Sequence, residues 1–229
     1  MTPTLHDPTT AITPTRPRGA ALLRAIGTVV QDLPLFLTAP LYRRRHQRWG
    51  TTPAELATPL PGDALLPGAQ FRATRAITIN APPVAVWPWL VQVGAGRAGW
   101  YSNDLLDNLG HPSATTVIGP LQHLEVGQWV PMSPTGPPTE RNAFKVHSFQ
   151  THHWLLWTKP DSTWAWQLTT TPGNGTRLLT RVRAVYDWQR PASALIATVL
   201  MEFGDFAMQR RMLRGIKARA ESLLEADRT

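Results

Sequence analysis

Polar side chains able to do chemistry gather around one glycine-rich turn, QVGAGRAGWYSND, between Gln92 and Asp104. Arg97, Tyr101 and Asp104 are the residues there that could hold an anion or shuttle a proton, which makes them the catalytic candidates if the chain is an enzyme. Arg97 and Asp104 flank the turn and could pair beside a cavity mouth, with Gln92 and Tyr101 reaching inward. An ion pair that only fastens two helices together would use the same residues. The glycines also spell G-x-G-x-x-G, the dinucleotide fingerprint, which needs a strand directly before it and an acid about 20 residues further on. Neither is present: the preceding segment contains Pro88 and reads as helix, and Glu125 lies too far downstream.

Other chemistry is sparse. The sequence has no G-x-S-x-G, H-E-x-x-H or phosphate-loop motif. Cysteine is absent, which excludes disulfides and thiolate metal sites. The adjacent His152 and His153 would point to opposite faces of a strand, so they make no shared metal site. No metal and no cofactor is expected, and acid/base work outside the turn would fall to a histidine such as His147. Ten tryptophans remain, with Trp154, Trp157, Trp164 and Trp166 inside thirteen residues. Trp164 and Trp166 share a strand face with Leu168 and could stack on a planar ligand or simply fill a core. Arg181 and Arg183 share a face of the last strand. Facing inward they would bind a carboxylate, enolate or phosphate, whereas facing outward, the commoner case, they would be solvated.

These residues need elements to hold them. Ile77 and Ile79 alternate with Thr78 and Asn80 as in a half-buried strand. Asn80 is placed to cap a following helix begun by Pro82 and Pro83, with Val86, Trp87, Leu90, Val91 and Val93 on its apolar face and Pro88 as a kink. Ser102 or Asn103 would cap a second helix carrying Leu105, Leu106 and Leu109 and stopped by Gly110. Strands follow near Val126–Met132 and from Phe144, His153, Ser162 and Arg177, the last two joined across the hairpin signal PGNG. Phe144, Val146 and Ser148 should share one face. From Pro191 a long helix repeats Leu195, Val199, Phe203, Phe206, Leu213, Ile216, Ala220 and Leu223, and its apolar start, ALIATVLM, should be buried on more than one side.

The chain of 229 residues suits one domain with an appendage. Residues 1–18, rich in Thr and Pro, should be disordered, and 51–69 reads as an extended linker. In the segment 19–50, Leu22, Ile26, Val29, Val30 and Leu33 share a helical face ahead of Arg43, Arg44, Arg45 and Arg48. Arg24, Asp32, Pro34 and Pro40 interrupt the run, which falls short of the roughly 20 apolar residues of a span. The segment is therefore either an interfacial helix whose basic flank touches anionic lipid or a helix packed on the domain with solvated charges. The chain would be cytoplasmic, free or peripheral at the inner face of the membrane. The net charge of +8 is spread along the sequence, and arginine outnumbers lysine 20 to 3, so nucleic acid is not expected as a partner.

The run NAPPVAVWPWLVQVGAGRAGWYSNDLLDNLG resembles the opening of bacterial SRPBCC proteins, the START/Bet v 1-like superfamily in its polyketide cyclase/dehydrase-type branch. Asp107 stands where that family usually has glutamate. The resemblance continues through PLPGDALLP, LQHLEVGQWVP and MLRGIKARAE and so covers roughly residues 57–224. It implies an α+β helix-grip fold, with residues 70–229 forming a curved antiparallel sheet wrapped around a long C-terminal helix and two short helices after the first strand. It also implies a cavity for a hydrophobic or aromatic small molecule such as a lipid, isoprenoid or polyketide. Gln92, Trp100, Tyr101, Trp154, Trp164, Trp166, Arg181 and Phe206 are the expected ligand-binding residues. The alternatives are an aromatase/cyclase-type enzyme, using Tyr101, Asp104 or Arg97, and a peripheral membrane or partner-binding module using residues 20–48.

Overall fold

Alternating apolar residues build six antiparallel strands in the order β1-β6-β5-β4-β3-β2: β1 (Phe71–Ile79), β2 (Trp129–Pro131), β3 (Ala143–Gln150), β4 (Trp154–Lys159), β5 (Ser162–Thr171) and β6 (Gly175–Ala184). The computed structural model describes residues 19–189 and 191–226; the stretch 1–18, expected to be disordered, lies outside them. Strands β2 to β6 form a meander, and β1 closes on β6 from Phe71↔Ala184 to Ile79↔Thr176. PGNG makes the β5–β6 turn as the sequence predicts, with Gly173 and Asn174 at φ +84° and +62°. In β3 a bulge between Val146 and Ser148 breaks the expected alternation, so that Phe149, opposite Leu155, faces the core in place of Ser148. His152 and His153 sit in the β3–β4 turn, not on a strand.

Seven helices accompany the sheet among the described residues: α1 (Gly19–Leu37), α2 (Arg43–Gln47), α3 (Pro53–Ala57), α4 (Pro83–Val91), α5 (Asp104–Asp107), α6 (Pro191–Val199) and α7 (Asp205–Ala226). The long helix α7 lies in the sheet's concave face, where Met212, Leu213, Ile216 and Ala220 meet Ile79, Leu90, Trp166 and Leu178 in one core. This is the helix-grip arrangement.

Several expectations need correction. Pro82, not Asn80, stands at the start of α4, because Pro83 supplies the first helical turn and Asn80 offers only its N–H, to Glu221. The second helix is a single turn, since Asn103, Asp107 and Asn108 are poor helix formers and Leu109 turns to φ +51°. The last helix is interrupted by one π-helical turn, Leu200–Gly204, between α6 and α7. Its apolar start is not buried all round: Ala194 is buried, whereas Leu195, Ile196 and Val199 are exposed.

The segment 51–69 is no extended linker. It holds α3, closed by a reciprocal capping box between Thr52 and Glu55, and a 3-10 turn at Asp63–Leu65. It straps the outer face of β6. Arg177 donates to Glu55 at 2.7 Å, which holds that carboxyl down at about 2, and Arg183 donates to the Leu66 carbonyl at 2.8 Å. Arg181 pairs with Asp63 and donates to Thr74 Oγ1 at 2.9 Å. Arg181 and Arg183 thus point outward, yet the strap covers them and Arg181 is 1% exposed, so Arg181 has no access to a ligand in the grip.

On the inner face, β1 contributes one charge. Arg75, buried opposite Thr180, donates to the His46 carbonyl at 2.9 Å and to Gln209 Oε1 at 2.5 Å, and its Nη2 lies 2.6 Å from Asp205 Oδ2 in a charge contact outside hydrogen-bond alignment. Breaking such a buried pair from one side typically costs about 3–5 kcal/mol. Arg75→Ala should therefore lower the melting temperature by about 10 °C in a thermal melt, and Arg75→Met with Asp205→Leu should recover much of that. Equal losses in both variants would refute the pairing.

Candidate functional site

Gly94 and Gly99 exchange backbone hydrogen bonds at 3.1 and 3.0 Å and close the glycine turn on itself. A side chain at Gly99 would strike Ser113, so the motif serves a close approach of two loops. Gln92, fully buried, is the hub: its Nε2 donates to the Tyr101 hydroxyl at 2.9 Å, while its Oε1 accepts from Ile118 N–H at 2.9 Å and Gln122 Nε2 at 3.0 Å. Tyr101, at φ +54°, sits under the Arg219 guanidinium at 4.5 Å, and burial pushes its phenol up to about 12. That hydroxyl keeps its proton throughout the neutral range.

Arg97 and Asp104 do not pair. Arg97 turns back to donate to the Val91 carbonyl at 2.9 Å, and burial lowers its affinity for a proton. Asp104 accepts the Ser113 hydroxyl at 2.5 Å. The glycine turn separates the two side chains where the sequence suggested that it would join them.

The inner face of the sheet is packed solid with aromatic rings. Trp157 meets Trp164 edge-on at 5.4 Å, Trp166 stacks on Trp164 at 5.1 Å, and Trp89 and Trp166 are fully buried. The remaining space opens at the end of the grip as a cleft of about 400 Å3. One wall is Trp100 and Trp164, parallel within 3° at 5.6 Å, with Trp164 oriented by its 2.8 Å bond to Thr180 Oγ1. Met201 from the π-turn and Met208 and Met212 from α7 form the other. Leu106 and Met132 stand at the rim.

Asp107 also lines this cleft. Its Oδ2 accepts the Asn103 N–H at 3.3 Å, while Oδ1 is buried without a partner, as is the Trp100 indole nitrogen. Burial first, and then the nearby Asp104 charge, push the Asp107 carboxyl up to about 7. The carboxyl therefore keeps its proton to far higher pH than an ordinary aspartate does.

Of the expected binding residues, Trp100 and Trp164 line the cleft, with Trp166 directly behind. Gln92 and Tyr101 brace its supporting loops. Trp154 packs on the opposite face of the sheet with Leu156 and Leu60, and Phe206 stacks on His46 at 3.8 Å, because the pleat and the helix turn carry both away from the cleft. Sequence reasoning passed over Asp107 and the methionines. The spacing of Met201, Asp205, Met208 and Met212, four, three and four residues apart, marks one helical face and could have revealed them.

Strand order and the gripped helix define the class, an α+β helix-grip domain carrying an N-terminal extension. No family model and no curated protein matches the sequence. Among solved structures the chain is similar to a polyketide-cyclase-like protein from Corynebacterium glutamicum, at 16% identity and a TM-score of 0.36 over 68% of this chain and 94% of that one. It is also similar to a protein from Staphylococcus saprophyticus at 12% identity and TM-score 0.38, covering 66% and 92%, and to one from Mesorhizobium loti at 17% and 0.35, covering 68% and 98%.

The Asp107 geometry makes a pH prediction. A carboxyl that titrates near 3.8 when unperturbed and about 7 in the fold binds its proton more tightly in the native state, so its contribution to stability falls as pH rises from about 4 through 7. Asp107→Asn removes that slope. The variant should melt several degrees above the wild type at pH 8 and no higher at pH 4, as read by calorimetry; parallel pH profiles would contradict the assignment.

Proposed function

We propose that the protein binds a hydrophobic, planar small molecule in the cleft between the Trp100–Trp164 wall and the methionines of α7. The observation that carries this reading is an open apolar cleft walled on one side by the parallel Trp100 and Trp164 rings and on the other by Met201, Met208 and Met212. Apolar burial supplies affinity, and flexible thioethers adapt to the ligand's outline. A lipid, an isoprenoid or a polyketide-like aromatic carrying a carbonyl or hydroxyl has this chemistry.

A second reading, an aromatase/cyclase-type enzyme, is favoured by the raised carboxyl of Asp107 at the cleft wall. A neutral carboxylic acid beside a bound poly-β-ketone could protonate the attacked carbonyl oxygen while its carboxylate receives the enol O–H proton, and then protonate the departing hydroxyl, which leaves as water, while the carboxylate takes the α-proton, with confinement of the chain supplying much of the rate. Arg97 and Tyr101 are less suited, since the one faces a backbone carbonyl and the other holds its proton to about 12. Turnover of poly-β-ketone mimics that disappears in Asp107→Asn would select this reading.

The N-terminal segment supports contact with an anionic membrane surface as a separate reading. No helix among the described residues is long and apolar enough to cross a membrane. However, α1 leaves Leu23, Ile26, Val30, Leu33 and Leu37 exposed, and Arg44, Arg45 and Arg48 follow on the exposed surface, while Arg43 is held by Glu202 at 2.6 Å. Deleting residues 1–48 should abolish flotation with anionic liposomes if this surface is used.

The cleft is tested by filling it. A side chain at Gly204 would meet nothing within 4 Å, so Gly204→Leu should occupy the cleft without unfolding the chain. Its affinity for an apolar fluorescent probe should fall about tenfold while its melting temperature holds. Native mass spectrometry should show the wild type, and not the variant, leaving its host with a bound small molecule. Undiminished probe binding in Gly204→Leu would sink the proposal.

A further inference from the structure

A second cleft, of about 570 Å3, lies across α7 from the first, between α1, α7 and the segment from Tyr101 to Ser113. Four guanidiniums line it, those of Arg210, Arg211, Arg214 and Arg219, against two carboxylates, Asp32 and Asp104, an excess of two positive charges. The carboxylates are already engaged. Asp32 accepts Arg211 Nε at 2.7 Å, which docks α1 over the cleft, and Asp104 accepts the Ser113 hydroxyl. Arg219 donates to the carbonyls of Ala114 and Gly215 at 2.8 and 3.2 Å.

Arg210 and Arg214 are left. One turn apart on α7, both lie over the Trp49 ring, each 5.9 Å from its centre, and among the described residues neither has a carboxylate at ion-pair distance. Like charges at this spacing repel. Burial, then Arg214, and also Arg211, weaken the hold of Arg210 on its proton, and only the Asp32 charge opposes them. An anion placed among the four would relieve that repulsion. A dianion matches the excess charge, and tetrahedral oxygens suit guanidinium forks better than any neutral group does.

We propose that this cleft is a binding site for a phosphate group, carried either by a soluble phosphomonoester or by a lipid head. It stands apart from the apolar cleft: α7 divides the two, and the Ser102 hydroxyl, donating to the Met208 carbonyl at 2.9 Å, sits on the ridge between them.

The test uses the full chain and two probes, glycerol 3-phosphate by titration calorimetry and phosphatidylcholine vesicles with or without phosphatidic acid by co-sedimentation. Saturable binding of glycerol 3-phosphate, weakened at least about tenfold in Arg210→Gln/Arg214→Gln and by added salt, supports the site with a soluble ligand. Binding confined to the phosphatidic acid vesicles and lost in the same variant supports it with a lipid head. Binding of neither probe, or binding that the double variant leaves unchanged, overturns it. Arg214→Gln alone, at an exposed position, should weaken binding about threefold and keeps the test valid if the double variant unfolds. Gly204→Leu should leave phosphate binding intact, which separates failure of this site from failure of the apolar one.

Discussion

Arg75 is the interaction on which the rest depends. A single guanidinium, 1% exposed on the inner face of β1, reaches the first turn of α7 through Asp205 and Gln209, the backbone of α2 through the His46 carbonyl, and the Phe206 ring at 5.5 Å. Three parts of the chain far apart in sequence meet at one charge. Its burial is tolerable only because every partner arrives together. Since Asp205 and Gln209 also line the apolar cleft, the same contact fixes where α7 begins and how far the π-turn stands from the tryptophan wall.

The strap and the sheet depend on each other in a similar way. Arg177, Arg181 and Arg183 would leave an exposed cationic stripe on β6 if residues 51–69 were free. Glu55, Asp63 and a series of backbone carbonyls cover it instead. The arginines in turn give carbonyls of this irregular segment partners on the sheet, so loop and strand order together. With the strap on the outer face of β6 and the interior filled by indoles, the remaining apolar space lies at the open end of the grip.

Helix α7 then becomes a partition. Residues 205, 208, 209 and 212 turn toward an apolar wall, and residues 210, 211, 214 and 219 toward a polar cleft under α1. The Tyr101–Ser113 segment borders both, held by Gln92 below and by the Ser113–Asp104 contact at its side. One helix thereby carries two chemically opposed faces, one apolar and one cationic.

The sequence by itself determined the class of fold. Period-two alternation in β1 and β6, the PGNG turn, the proline start of α4 and the helical repeat through Leu213, Ile216 and Ala220 are local signals, set by backbone geometry and side-chain size. They hold whatever lies across from them. It also named Trp100 and Trp164, which line the apolar cleft. The tertiary structure alone decided which charges meet. Arg97 and Asp104, seven residues apart, stay apart because the glycine turn aims them differently, whereas Arg181 finds Asp63 and Arg75 finds Asp205 across more than a hundred residues. Asp107 gained its raised carboxyl first by burial in the fold and then from the charge of Asp104. A charge's partner and its solvation are properties of three-dimensional surroundings, and no spacing along the chain encodes them.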